Sequence, residues 1–338
     1  MEPVKWGVIG TARIAMDRVI PAMQSTPDCE IVAIASRSEE TARSAASGAG
    51  IERAYGSYQA LLDDPGIDAV YLPLPNHLHL AWCLKALEAG KHVLCEKPIT
   101  LDAAQATQLI ALRDRTHLVI EEAFAIRNHP QWDTLREVLD SGEIGSPVSA
   151  QATLAYSNLD PTDIRNRPED GGGALYDIGS YAITASRLVF DAEPWRVIAL
   201  IDRDARFGTD RLTSAILQFP HGHASFSVTT QGGPAAGGSH QHFGLVCSKG
   251  WLRAEFPFAH STPAGCRLFV GDHKSTGTHP SREITLPAVN QYALQAERFS
   301  RLVRGEKVTS FPLETALANM RVIDALFRSE QSGSWETV

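Results

Sequence analysis

At 338 residues the chain is long enough for two domains, and 43% hydrophobic against 21% charged residues fits a soluble globular protein with a full core. A formal net charge of -8 argues against nucleic acid or an anionic membrane as partner, and no apolar run is long enough to span a bilayer. Five scattered cysteines without a C-x-x-C pair, and a first strand that begins at Val4 and leaves no room for a secretory signal, point to reduced thiols and a cytoplasmic location.

Val4 to Ile9 is an apolar run closed by Gly10, and Gly10 to Ala15 (GTARIA) opens a helix that extends to about Gln24. Strand, glycine turn and helix in that order are the setting of a dinucleotide-binding fingerprint. The G-x-G-x-x-G pattern falls on Gly10, Ala12 and Ala15. Its second position carries a methyl group where the backbone should approach a pyrophosphate, and its third carries an allowed alanine. Glu30 to Ala35 reads as the second strand. An acidic residue at its end would hold an unphosphorylated ribose. Ser36, Arg37 and Ser38 stand there instead, and an arginine fork suits a 2′-phosphate. Ser36 and Glu39 also read as an S-x-x-E capping box for the next helix, which leaves Arg37 without a local task.

A helix from Ser57 to Asp63 and a strand from Ala69 to Leu72 follow, then Pro73-Leu74-Pro75-Asn76 and a helix from His77 to Ala89. Gly90 to Pro98 (GKHVLCEKP) is a turn glycine, a short strand from His92 to Cys95, and then Glu96, Lys97 and Pro98. In an open α/β sheet, ligands bind at the carboxyl ends of the strands. Proline after Lys97 favours an extended backbone there, so a primary amine is held on a stiff support. A solvated strand-end lysine is the plainer alternative. A helix from Leu101 to Asp114 and a strand from His117 to Glu121 complete an alternation of strands and helices. Such alternation predicts a doubly wound, mostly parallel sheet over residues 1–121.

Three H-x-H pairs occur: His77/His79, His221/His223 and His240/His242. Residues two apart on a helix face different directions. On a strand they share a face, but no nearby cysteine or carboxylate completes a closed zinc set, so no metal is assigned. His79 fits contact with a cofactor or a helix cap.

Beyond residue 121 the texture changes. A helix from Gln131 to Ser141 precedes a strand from Pro147 to Tyr156. Ser214 to Phe219, Ala224 to Thr229, Phe243 to Cys247 and Cys266 to Val270 show period-two patterning, and two helical segments close the chain, Tyr292 to Arg304 and Leu313 to Ser329. Strands that run together predict an α+β domain over residues 122–338 with a large, open, mainly antiparallel sheet. Such a sheet needs a cover on each face: helices on one, a second subunit on the other. Within this half, Gly171 to Tyr181 (GGGALYDIGSY) places three glycines at a helix start, and Asp177 and Tyr181 four apart share a helix face. A carboxylate and a phenol presented together suit a polyhydroxylated substrate. An ordinary helix start with a locally satisfied tyrosine is the alternative.

Together, GVIGTARIA, LPNHLHLAWCLKALEAGKHVLCEKP, EEAFAIRNHPQW and GGGALYDIGSY resemble the glucose–fructose oxidoreductase, inositol dehydrogenase and rhizopine-catabolism family (Gfo/Idh/MocA) over essentially the full length. The resemblance implies a Rossmann domain, an open-sheet α+β domain and an active site between them. It puts the family's E-K-P lysine on Lys97 and its D-x-G-x-H motif on Asp177 to Tyr181. Tyr181 replaces the commoner histidine, as in the branch that holds NADP-dependent D-xylose dehydrogenases and dimeric dihydrodiol dehydrogenase. The resemblance implies that Gly10, Thr11, Ala12, Arg13, Ile14, Ser36, Arg37, Leu74, Pro75, Asn76, His79, Glu96 and Lys97 contact the cofactor, NADP with NAD as the alternative. Asp177, Arg127, Arg165 and Asn166 are the candidates for holding a carbohydrate, and the assembly implied is a homodimer or homotetramer.

The residues carry a coherent chemistry. A free phenol has a pKa near 10. A neighbouring ammonium favours its anion, so Lys97 would tune Tyr181, and Tyr181 would exchange the proton of a substrate hydroxyl as hydride leaves its carbon. The expected reaction is oxidation of an aldose at its anomeric carbon to a lactone. The alternatives are reduction of a keto-sugar, oxidation of a dihydrodiol, or a non-catalytic NADP(H)-binding regulator, which would need neither Lys97 nor Tyr181.

Overall fold

Six short apolar strands build the first sheet: β1 (Val4–Ile9), β2 (Cys29–Ala35), β3 (Arg53–Tyr55), β4 (Ala69–Leu72), β5 (His92–Glu96) and β6 (Ile120–Ala123). Their order is β3-β2-β1-β4-β5-β6, every adjacent pair is parallel, and β1 and β4 flank the point where the strand order reverses. The chain is described by a computed structural model that covers residues 1–234, 238–258, 265–276 and 279–338.

Connecting helices cover both faces of this sheet, so its strands are apolar without alternation. One face packs α3 (Tyr58–Leu62), α4 (His79–Glu88) and α5 (Ala103–Thr116) through Leu61, Leu62, Cys83, Leu87, Leu109 and Leu112. The other packs α1 (Ile20–Gln24) and α8 (Gln291–Val303) through Val19, Ile20, Met23, Ala296 and Phe299. β6 begins three residues later than the spacing predicts. His117 takes φ +57° and donates its N–H to the Arg113 carbonyl at 2.8 Å, closing α5 with a left-handed residue. The helix after β2, α2 (Glu39–Ala49), is capped by Ser38, whose Oγ accepts the Thr41 N–H at 3.3 Å. Ser36 is therefore not the cap that its spacing from Glu39 suggests.

Two units emerge, Met1–Asn128 with Asn290–Leu317, and His129–Val289 with Ala318–Val338. The first unit thus runs seven residues past the expected 121 boundary and reclaims 290–317, a stretch that sequence order places in the second half. The reason is burial. Trp6 is fully buried, packs on Phe299 at 5.3 Å between ring centroids and donates its indole N–H to Ser300 Oγ at 3.1 Å. Glu121, 1% exposed, is met by Arg298 at 2.5 Å and accepts the Phe311 N–H at 2.9 Å.

The second unit holds α6 (Pro130–Asp140), α7 (Ser180–Phe190) and most of α9 (Leu313–Ser332). Its nine described strands are β7 (Pro147–Ala155), β8 (Arg196–Arg203), β9 (Asp210–Phe219), β10 (Gly222–Thr229), β11 (His240–Cys247), β12 (Gly250–Ala254), β13 (Cys266–Asp272), β14 (Arg282–Leu286) and β15 (Glu336–Thr337). The order is β14-β13-β12-β11-β7-β10-β9-β8-β15, antiparallel throughout except where β10 runs parallel to β7. Inward residues such as Ala215, Leu217, Phe226 and Phe243 are buried, whereas Leu200, Ile216 and Val246 stand 42–80% exposed on the other face of the sheet. The cysteines are all free thiols and buried. Among the described residues no helix is long and apolar enough to cross a membrane, and no group of three or more His, Cys, Asp or Glu could hold a metal.

Removing one member of a buried ion pair strands the other charge. Arg298→Ala should therefore lower unfolding stability by about 3 kcal/mol in denaturant titration. A loss below about 1 kcal/mol would show that the Phe311 N–H and solvent satisfy Glu121 without the guanidinium.

Candidate active site

In a parallel sheet every strand ends at the same edge. The turns after β1, β2, β4 and β5 therefore assemble one rim in the first unit. Gly10 leaves β1 with φ +115° and donates its N–H to the Ala35 carbonyl at 2.9 Å. A Cβ at this position would lie 3.0 Å from the Leu74 side chain in the turn after β4, so glycine satisfies both the conformation and the close approach. Thr11, Ala12 and Ile14 are half-buried and Arg13 is exposed at the helix start that follows. From Ala15 to Val19 this helix widens into a π-type turn.

At the end of β2, Ser36 is buried and its N–H bonds the Tyr55 carbonyl at 3.0 Å, while Arg37 is exposed. The Arg37 guanidinium stands beside the Tyr58 hydroxyl and works against burial, which pushes the phenol's pKa up. Leu74 is buried, with Pro75 and Asn76 half-buried beside it. At the end of β5 the Glu96 carboxylate accepts the Tyr71 hydroxyl at 2.7 Å and the Lys97 N–H at 3.2 Å, so the charge that precedes Lys97 is anchored inside the unit. Lys97 itself is half-buried and leads into a cis peptide bond with Pro98.

His79 has a different place from the one its sequence position suggests. It is fully buried, with Nδ1 2.8 Å from the Pro98 carbonyl oxygen and Nε2 2.8 Å from the Leu74 carbonyl oxygen. It is wedged between the turn after β4 and the turn after Lys97, where a neutral ring donates its one N–H to one of the two carbonyls, and it presents neither nitrogen to a ligand. Burial lowers its pKa to about 4 despite the two carbonyls, which favour the charged ring.

The second unit carries the other group. Asp177 lies in a π-type turn, Leu175–Gly179, that leads into α7. Wide turns of this kind are rare and concentrate at functional sites, and here one follows each of the two glycine segments picked out from the sequence. Asp177 accepts the Tyr156 hydroxyl at 2.5 Å and pairs with Arg165 Nε at 3.1 Å. Tyr156, at the end of β7, is kept firmly protonated by burial and the adjacent carboxylate, and Arg165 is kept charged by Asp177. Tyr181 follows in the first turn of α7, half-buried, its ring 6.1 Å from Phe258 in an edge-on arrangement.

Of the four candidates for holding substrate, the second unit brings Asp177 and Arg165 together. Asn166 is 2% exposed and donates its amide nitrogen to the Asn158 and Asp160 carbonyls at 3.1 and 2.9 Å, which shapes the loop. Arg127 belongs to the first unit, where it donates to Thr315 at 2.7 Å and lies over the Phe311 ring at 5.6 Å. Tyr156 is the residue that sequence reasoning misses. Its one signal is its position at the end of a long strand, which does not reveal a partner 21 residues away.

Comparisons with known proteins bear on the family and the fold. Residues 4–124 match the GFO_IDH_MocA family, described as an oxidoreductase family with an NAD-binding Rossmann fold, and residues 132–253 match the GFO/IDH/MocA C-terminal domain. The chain is 47% identical to uncharacterized oxidoreductase ORF334 of Rhizobium meliloti over 100% of both chains. It is 34% identical to D-xylose 1-dehydrogenase (NADP(+)) 2 of Haloferax volcanii, covering 97% of this chain and 98% of that one. A crystal structure of KijD10, a 3-ketoreductase from Actinomadura kijaniata in complex with NADP and TDP-benzene, superposes with a TM-score of 0.88 at 31% identity, covering 97% and 98%.

A histidine whose pKa falls on folding contributes stability that is complete above its unfolded value, near 6.5, and is lost as pH falls toward the folded value. Between pH 6.5 and about 4, wild type should therefore lose about 3 kcal/mol more unfolding free energy than His79→Gln. Parallel stability curves for the two proteins would show that folding does not lower the His79 pKa.

Proposed function

On the premise that the chain belongs to the Gfo/Idh/MocA oxidoreductase family, we propose that it is an NADP-dependent dehydrogenase that oxidises a neutral aldose at its anomeric carbon. The observation that carries this reading is Tyr181 on a helix whose preceding turn holds Asp177 between Tyr156 and Arg165, in a chain that also has Lys97 at the carboxyl end of β5.

The first unit's residues fit a dinucleotide. Gly10 leaves at its turn a space that a Cβ would fill, and the helix start behind it offers backbone N–H groups to a pyrophosphate. Ala12 narrows that turn by a methyl group relative to the full glycine pattern. With Ser38 as the helix cap, Ser36 and the exposed Arg37 are left at the end of β2 for the ribose phosphate. The nicotinamide, when bound, supplies the hydride chemistry. Tyr181 takes the proton of the substrate hydroxyl in oxidation and returns it in reduction, and the Lys97 ammonium favours the phenolate.

Asp177 is oriented to accept sugar hydroxyls. Arg165 is paired with Asp163 and Asp177, and Arg167 with Glu169 and Asp170. Guanidinium groups already matched by carboxylates favour an uncharged sugar over a phosphorylated or nucleotide-linked one. The likeness to KijD10 supports a second reading, reduction of a keto-sugar by the same residues in reverse. Aldoses with NADP⁺ and keto-sugars with NADPH, each read as nicotinamide absorbance, separate the two.

Tyr181→Phe should preserve NADP⁺ affinity and reduce turnover about 10²–10⁴-fold, Lys97→Met should cost a similar factor, and the double variant should lose far less than their product. Near-normal turnover of Tyr181→Phe at saturating substrate refutes this assignment. Arg37→Asp should weaken NADP⁺ and shift preference toward NAD⁺ in a binding titration. Tighter NAD⁺ binding by the wild type contradicts it.

We also propose that the exposed apolar strand face around Leu200, Ile216 and Val246 is covered by a second copy of the chain. Light scattering at micromolar concentration should give at least twice the chain mass, and Ile216→Asp should reduce it. A monomeric wild type removes this part of the reading.

A further inference from the structure

Asp210 opens β9 in the second unit, 2% exposed, and the chemistry proposed above does not use it. Its Oδ2 accepts the Leu175 N–H at 2.6 Å and the Thr213 hydroxyl at 3.0 Å. Its Oδ1 lies where a Cβ of residue 173 would be, so that position admits only glycine, and Gly173 moreover has φ +121°. The Gly173 N–H bonds the Arg165 carbonyl at 2.9 Å, and its carbonyl accepts the Asp177 N–H at 3.1 Å. A carboxylate is thus seated on the first turn of the helical segment that carries Asp177 and then Tyr181. This places a negative charge at the positive end of that segment, where it is stabilised.

We propose that Asp210 is a positioning residue for proton transfer: its carboxylate, lodged over Gly173 and bonded to the Leu175 N–H, sets the axial position of the helix that presents Tyr181. The proposal rests on Tyr181 being the proton exchanger. Charge matters as well as shape. An ionised acceptor makes the shorter, stronger bond, and an amide or a protonated carboxyl in its place holds the turn less firmly. Burial raises the Asp210 pKa to about 6. The charged group facing it is Arg203 on β8, which also has Tyr176 beside it and is bonded to Glu330 at 2.6 Å. Ionisation of Asp210 is therefore complete only above neutrality.

The test compares full-length wild type, Asp210→Asn, Asp210→Ala, Tyr181→Phe and Tyr181→Phe/Asp210→Ala by kcat, KM for cofactor and sugar, and melting temperature, from pH 5 to 9. Asp210→Asn keeps the volume of the side chain and remains the deciding variant if the alanine protein does not fold. It should lower kcat roughly tenfold at pH 8 with both KM values within twofold, because a small misplacement of a reacting group is costly in rate. The wild-type advantage should shrink as pH falls below about 6, when Asp210 itself takes up a proton. In the Tyr181→Phe background, Asp210→Ala should change kcat less than twofold. A wild-type kcat for Asp210→Asn, an effect confined to KM, or a loss independent of pH overturns the proposal while an impaired Tyr181→Phe leaves the tyrosine assignment standing. An unimpaired Tyr181→Phe overturns the assignment and the proposal with it.

Discussion

Parallel pairing is the constraint on which the first unit depends. When six strands all run in one direction, their carboxyl ends meet at one edge, and residues far apart in the chain become neighbours without any direct attraction between them. Gly10, Arg37, Leu74 and Lys97 reach the same rim for this reason. The edge is then stiffened from behind. Glu96 is held by Tyr71, and His79 joins the Leu74 and Pro98 carbonyls from a fully buried position. Lys97 gains from this arrangement a backbone with little freedom to drift.

The second unit reaches a comparable stiffness by another route. Its sheet is mostly antiparallel, and the helix that carries Tyr181 is laid against that sheet. The glycine run at the helix start lets β9 and the loop around Arg165 approach closely. Asp210 and Tyr156 then fasten the turn around Asp177 from two different strands. Charge is managed locally: Arg165 and Tyr156 both serve Asp177, so the carboxylate is oriented without being left isolated in the interior. Polar residues that an unguided reading would assign to a substrate are partly consumed by the scaffold, as Asn166 and Arg127 illustrate.

The Glu121–Arg298 pair shows how chain order and unit membership part company. Glu121 lies on the edge strand β6 of the first sheet, and Arg298 lies 177 residues downstream, in a helix that follows eight of the nine described strands of the second sheet. With Trp6 closing on Phe299 and Ser300, the returning helix joins α1 in covering one face of the first sheet.

The element types, the parallel and antiparallel halves and the glycine turn at Gly10 are legible in the sequence alone. These are local properties: period, turn chemistry and motif spacing are set by neighbours along the chain. Only the tertiary structure decided that Ser38 rather than Ser36 caps the helix and that residues 290–317 belong with the first sheet. It alone showed that His79 is buried between two carbonyls, that Tyr156 holds Asp177, and that Asp210 occupies the space above Gly173. Each of these depends on which groups burial brings together across long separations. Burial responds to the packed volume of the whole unit, which no window of sequence contains.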